Sequence, residues 1–258
     1  MIGRIFADRG RLAATRRADR LAAVLIALVQ AVVAATGWFV DPVWLAVTIA
    51  GQLLLGGLAA VYVIGPMRHE LGLARYAMPA AAGIAATLFG RLLPGGLSLL
   101  LVPLVAVLLW AVTYLELRIE RGTGGRTIHD LLMMAIVFSA SAGLVTLFGP
   151  RAWPTPMIVV AVLALPVAMR SAESRGVLGV EAVGQALLHV LAVVQVGIGG
   201  ALLNLVPTVL AGLIALAFYA WAGAVDALRG DGPGRAVAVE YGSLVLIGLV
   251  VGLLMFRP

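Results

Sequence analysis

The chain has 258 residues, 62% hydrophobic and 12% charged, with a mean hydropathy of +1.09 and a net charge of +6. So few polar groups cannot cover a water-soluble domain, and the composition implies a multi-pass membrane protein, an all-α bundle with no soluble domain left over. All 18 basic residues are arginine and there is no cysteine, which excludes a lysine Schiff base, a thiol nucleophile, a thiolate metal site and a disulfide framework.

Residues 1–20 carry six Arg and two Asp, with Ile2, Ile5, Phe6 and Leu12 as apolar anchors. They read as a basic cytoplasmic segment, either an interfacial helix on anionic headgroups or a basic tail. Residues 21–258 read as one transmembrane domain. Its first apolar run, 21–40, is too long for the core of a signal peptide and is taken as a helix. Trp38, Asp41, Pro42 and Trp44 make the first turn, after which apolar runs follow at 43–65, 76–93, 97–117, 131–149, 157–169, 180–206, 208–228 and 236–256. At 1.5 Å per residue most of these match a hydrocarbon core of about 30 Å, giving an expected nine spans joined by short loops. The run 157–169, with Pro166 inside it, is the shortest.

With the N-terminus in the cytoplasm, 15 of the 18 Arg fall on the inner side, and only Arg91, Arg151 and Arg257 on the outer side. Trp38, Trp44 and Trp153 then sit at the outer boundary. The positive-inside rule therefore predicts a protein of the cell (inner) membrane with its C-terminus outside. The returning helices end alike, with Gly122, Gly176 and Gly230 spaced 54 residues apart. This period suggests stacked hairpins, although Gly after a helix whose last turn holds Arg is also an ordinary helix end.

The run 180–206 has more strongly polar side chains at membrane depth than the others. Glu181, Gln185, His189 and Gln195 fall within one arc of roughly 120° at 100° per residue, and Gly199 shares it. Lipid offers no hydrogen-bond partner, so this face is expected to line a polar path or to contact other helices, and the rest of the chain is expected to be organised around it. A helix-association face is also expected at Gly248 and Gly252, a GxxxG pair. Gln30, Gln52 and Asn204 read as hydrogen-bonding contacts between helices. Asp130, Glu181 and Glu240 open outward-running helices beside arginine loops and predict a set of ion pairs at the inner rim. Glu116, Glu120 and His129 are the residues that could gather around a divalent cation, but Arg118 and Arg121 stand among them and the dense aspartate spacing of headgroup transferases is missing. Ser139 and Ser141 lack the setting of a serine nucleophile.

No catalytic, metal, nucleotide or other cofactor motif is present, and dispersed arginines do not make a nucleic-acid surface. The expected function is that of a non-enzymatic membrane subunit or scaffold, with the bilayer and other membrane proteins or further copies of itself as partners. The alternative is a permease for a small or largely apolar solute using the polar face of 180–206, for which breaks at Pro166 or Gly197 to Gly200 would be the sign. A lipid-metabolising enzyme is the third reading and requires Glu116, Glu120 and His129 to converge.

Overall fold

The structure, a computed structural model, describes residues 2–64, 72–93, 95, 99–120, 125–148, 154–229 and 234–254. Among the described residues there are nine α-helices and no strand. They are α1 (Ile2–Phe39), α2 (Pro42–Ala59), α3 (Met78–Gly90), α4 (Val102–Glu120), α5 (Arg126–Phe148), α6 (Thr155–Glu173), α7 (Gly179–Leu202), α8 (Pro207–Arg229) and α9 (Gly234–Leu254). Proline stands in the first turn of α2, α3 and α6 and opens α8, where its missing N–H has no intrahelical partner to lose. At the other end of α7, Asn204 takes φ 49° while Leu205 N–H donates to Gly200 O at 3.1 Å and Asn204 N–H to Ala201 O at 3.0 Å. Asn204 is thus the left-handed cap that ends α7, a backbone role rather than a contact between helices.

Seven of these helices are long and apolar enough to cross a bilayer, which makes the chain a multi-pass helical membrane bundle. Two of the nine expected spans are shorter: α3 has 13 residues, and the apolar part of α9 is Val239–Gly252. The expected short sixth span is instead a 19-residue helix that continues through Pro166. Proline is tolerated more readily inside a transmembrane helix than inside a soluble one. The basic segment is helical from Ile2 and runs straight into the first span, although the side chains of residues 1–20 lie outside those described.

The helix that the bundle encloses is α3. It packs on α1, α2, α4, α5 and α6, and eleven of its thirteen residues are buried. Ala80, Ala81, Ala82, Gly83 and Ala85 let those neighbours come close, the usual way for helices to associate where lipid provides no hydrophobic drive. Two glycines of the neighbours complete the fit. A Cβ on Gly56 of α2 would lie 2.5 Å from the Ala80 backbone, and one on Gly143 of α5 would lie 2.6 Å from the Leu88 carbonyl. A 3-10 turn, Ala74–Tyr76, precedes α3 and extends its reach. At the far end the Arg91 guanidinium donates to the carbonyls of Gly37 (2.6 Å) and Val40 (2.8 Å), which holds α3 to the end of α1. By contrast α7 lies on the flank, between α6 and α8. The expected centre of the bundle therefore moves from α7 to α3: polar residues advertise themselves in a sequence, whereas a run of alanines gives no sign that it will be enclosed on every side.

Candidate functional site

Packing of α7 on α6 and α8 uses a stripe of small residues, Ala182, Ala186, Gly197 and Gly200, with Val193 and His189. Close approach needs small side chains: a Cβ on Gly200 would lie 2.5 Å from Leu210, and one on Gly197 would strike the Met157 sulfur. The polar arc is consequently divided. His189, at its inner edge, is buried and its Nε2–H donates to the Phe218 carbonyl at 2.9 Å, while its ring stacks on Phe218 at 4.1 Å. Gln185 is half-buried and donates to Glu181 at 3.3 Å. Glu181 and Gln195 face away from the bundle. A void of about 20 Å³ adjoins Gln185, His189 and Trp221, room for a single water. The helix runs unbroken through Gly197 to Gly200.

A different set of polar residues converges at the arginine-rich end of the bundle. Glu116 of α4, 1% exposed, accepts Nε2–H of His129 on α5 at 2.9 Å through one oxygen. Its other oxygen takes two N–H groups of Arg170 on α6, at 2.8 and 2.6 Å. Arg170 also lies 3.9 Å from Glu173, whose carboxylate accepts the backbone N–H of Leu73 (2.8 Å) and Ala74 (3.0 Å) and so fixes the turn that leads into α3. Arg75 is buried beside that turn, bonded to the Tyr76 hydroxyl and stacked on its ring. Half a turn beyond α6, Arg175 bonds Asp130 of α5 at 3.0 Å and lies 3.6 Å from Asp226 of α8. The network thus ties α4, α5, α6, α8 and the approach to α3 at one level. Charges this deeply buried are stable only as pairs. Arg170 holds Glu116 and Glu173, and Arg175, in a separate set, holds Asp130 and the more exposed Asp226.

Glu116 and His129 therefore do meet, but through a direct hydrogen bond, with Arg170 on the remaining carboxylate oxygen. Among the described residues no three of His, Asp and Glu form a cluster able to hold a metal ion, and the Glu120 side chain, like Arg118 and Arg121, lies outside those described. Of the acids expected at the rim, Asp130 is paired with Arg175, while Glu181 and Glu240 are exposed. Arg170 and Glu173 were legible only as a helix end. The available signal was that both stand inside the last turn of an apolar helix rather than beyond it.

Gln30 and Gln52 are fully buried and link three helices: Gln30 donates to the Pro79 carbonyl at 3.2 Å, and Gln52 to the Gln30 carbonyl at 2.8 Å and the Thr87 hydroxyl at 3.3 Å. Gly248 and Gly252 are buried against α8 of the same chain, with Gly248 meeting Leu213 and Leu216. Their face associates helices within the chain. Ser141 is buried and bonds the Val137 carbonyl of its own helix at 2.7 Å. Ser139 borders an apolar cleft of about 190 Å³ between α3, α4 and α5, which begins beside Trp38 and ends at Val112 and Leu132, one turn short of Glu116 and His129. A second cavity, about 460 Å³, lies near Met157, Asn204, Pro207 and Leu210 at the tryptophan end. Compared with known proteins, the chain matches no family model, no curated protein and no solved structure.

Proposed function

We propose that this multi-pass membrane protein is a non-enzymatic subunit or scaffold that works by holding another membrane protein chain against α7. The observation that carries this reading is Gln195, which is exposed on the side of α7 opposite its buried stripe, about 10 Å of helix short of the Leu202 end. An amide at that depth has no hydrogen-bond partner in lipid, and a protein neighbour is the ordinary means of supplying one. The charged network supports the same reading, since Glu116, Arg170, Glu173 and Arg175 are all engaged in bracing helices. Unbroken passage through Pro166 and through Gly197 to Gly200 supports a fixed surface over an alternating-access path.

Gentle extraction followed by native mass spectrometry tests the reading. The wild-type protein is expected to carry a protein partner in fixed ratio, a second copy included, and the Gln195→Leu variant to lose it. A wild-type protein that emerges alone with lipid would refute the proposal.

The topology proposed with this function is nine crossings with the N-terminus in the cytoplasm, because that arrangement leaves only three of the 18 arginines outside. A reporter that is active only when exported is expected to be active when fused after residue 258, and inactive when fused at Ser174. Activity at Ser174 would reverse the orientation or remove a crossing before it, and inactivity at both sites would remove one crossing after it.

A further inference from the structure

The outward face of α7 is more specific than a lone polar residue. Glu181, Gly184, Leu188, Leu191, Gln195 and Gly199 are all exposed, and at 100° per residue they occupy an arc of roughly 80° directly opposite Ala182, Ala186, Val193 and Gly200. A Cβ placed on Gly184 or Gly199 meets nothing within 4 Å, so the surface is open at two small residues. These are separated by about 22 Å of helix, with leucines and the amide between them. Of the four glutamines in the chain, Gln30 and Gln52 are buried and bonded between helices, and Gln185 bonds Glu181 near the helix start. Gln195 alone faces out at hydrocarbon depth, and among the described residues its amide has no hydrogen-bond partner.

Resting on the subunit reading above, we infer that the chain packed on this face is a second copy of the same protein, joined across a two-fold axis normal to the membrane. Copies inserted in one orientation meet parallel, which brings Gln195 of one opposite Gln195 of the other at equal depth. A primary amide carries both a donor and an acceptor, so two glutamines across a two-fold satisfy each other with two reciprocal hydrogen bonds and require nothing from a third party. Gly199 beside this point removes the side-chain bulk that would hold the helices apart. Glu181 lies about 21 Å along the helix from Gln195, where a crossing angle of about 20° adds roughly 7 Å to the separation, so the two carboxylates are not forced together. An unlike partner would have to present a matching amide or hydroxyl at the same depth. The chain itself already does.

The absence of cysteine makes the test direct. Leu188→Cys, exposed on the same arc and leaving Gln195 in place, is oxidised in native membranes beside Leu54→Cys, an exposed site on α2 away from α7. The expected result is a cross-linked species of twice the 26.7 kDa chain mass, at least ten-fold more abundant at 188 than at 54. In parallel, the Leu188→Cys thiol is labelled with a benzophenone maleimide, which is photolysed and its adducts identified by mass. An adduct with a second copy supports the inference. An adduct with a different protein overturns the second copy and leaves the subunit reading standing. Lipid adducts alone, with no disulfide, overturn both.

Discussion

Replacing Arg170 with leucine is expected to destabilise the bundle by about 3 to 5 kcal/mol, the usual cost of removing one member of a buried ion pair. The reason lies in what remains. Glu116 would keep only the His129 hydrogen bond at 1% exposure, and Glu173 would lose the cation 3.9 Å away while still holding the turn into α3. Water has almost no access to the Glu116 carboxylate to compensate. Equilibrium unfolding in mixed micelles, titrated with a denaturing detergent, reads the effect. The paired variant Glu116→Leu with Arg170→Leu should be less destabilised than the sum of the two single variants, because it removes both charges together instead of stranding one. If Arg170→Leu lies within about 0.5 kcal/mol of wild type, the network is not buried as described.

The Gly143→Leu variant should be destabilised by at least the roughly 1 to 3 kcal/mol typical of overpacking. Its Cβ would enter the space of the Leu88 carbonyl carbon and oxygen, at 2.6 Å, and backbone cannot rotate out of the way as a side-chain tip can. Relief would require α3 to shift, but α3 is walled in by five helices. Gly199→Leu is the matched control: it adds the same volume to a glycine with nothing within 4 Å, and the monomer's stability should change by less than about 0.5 kcal/mol. The same unfolding titration compares the two. Equal losses would mean that the α3–α5 contact is looser than the structure places it.

These two sites illustrate how unevenly the sequence revealed the structure. Gly143 ends the run of small residues 139–143, and nothing in such a run states which neighbour will approach it. Arg170, Glu173 and Arg75 read as the ordinary basic and acidic punctuation at helix ends. That they are buried depends on where α4, α5 and the turn at 73–76 arrive, positions separated from them by as much as 100 residues of chain. Glu116 and His129 were singled out correctly as neighbours, but as candidates for a cation; the guanidinium that occupies the carboxylate comes from α6, 54 residues away. Gln30 and Gln52 were foreseen as contacts between helices, since an amide in a bilayer has little else to do.

By itself the sequence determined that the chain is an all-helical membrane bundle and where its helices lie, because hydropathy and the length needed to span hydrocarbon are local properties of a segment. It also determined that α7 carries a polar arc, because the helical period is fixed by the backbone. Only the tertiary structure decided which way that arc faces and which helix lies at the centre. Those outcomes follow from shape: α7 turned its small residues to α6 and α8 because only they permit close contact, and this left Gln195 outside. The alanine-rich α3 became the core because five neighbours could fit around a helix with almost no side chains to displace.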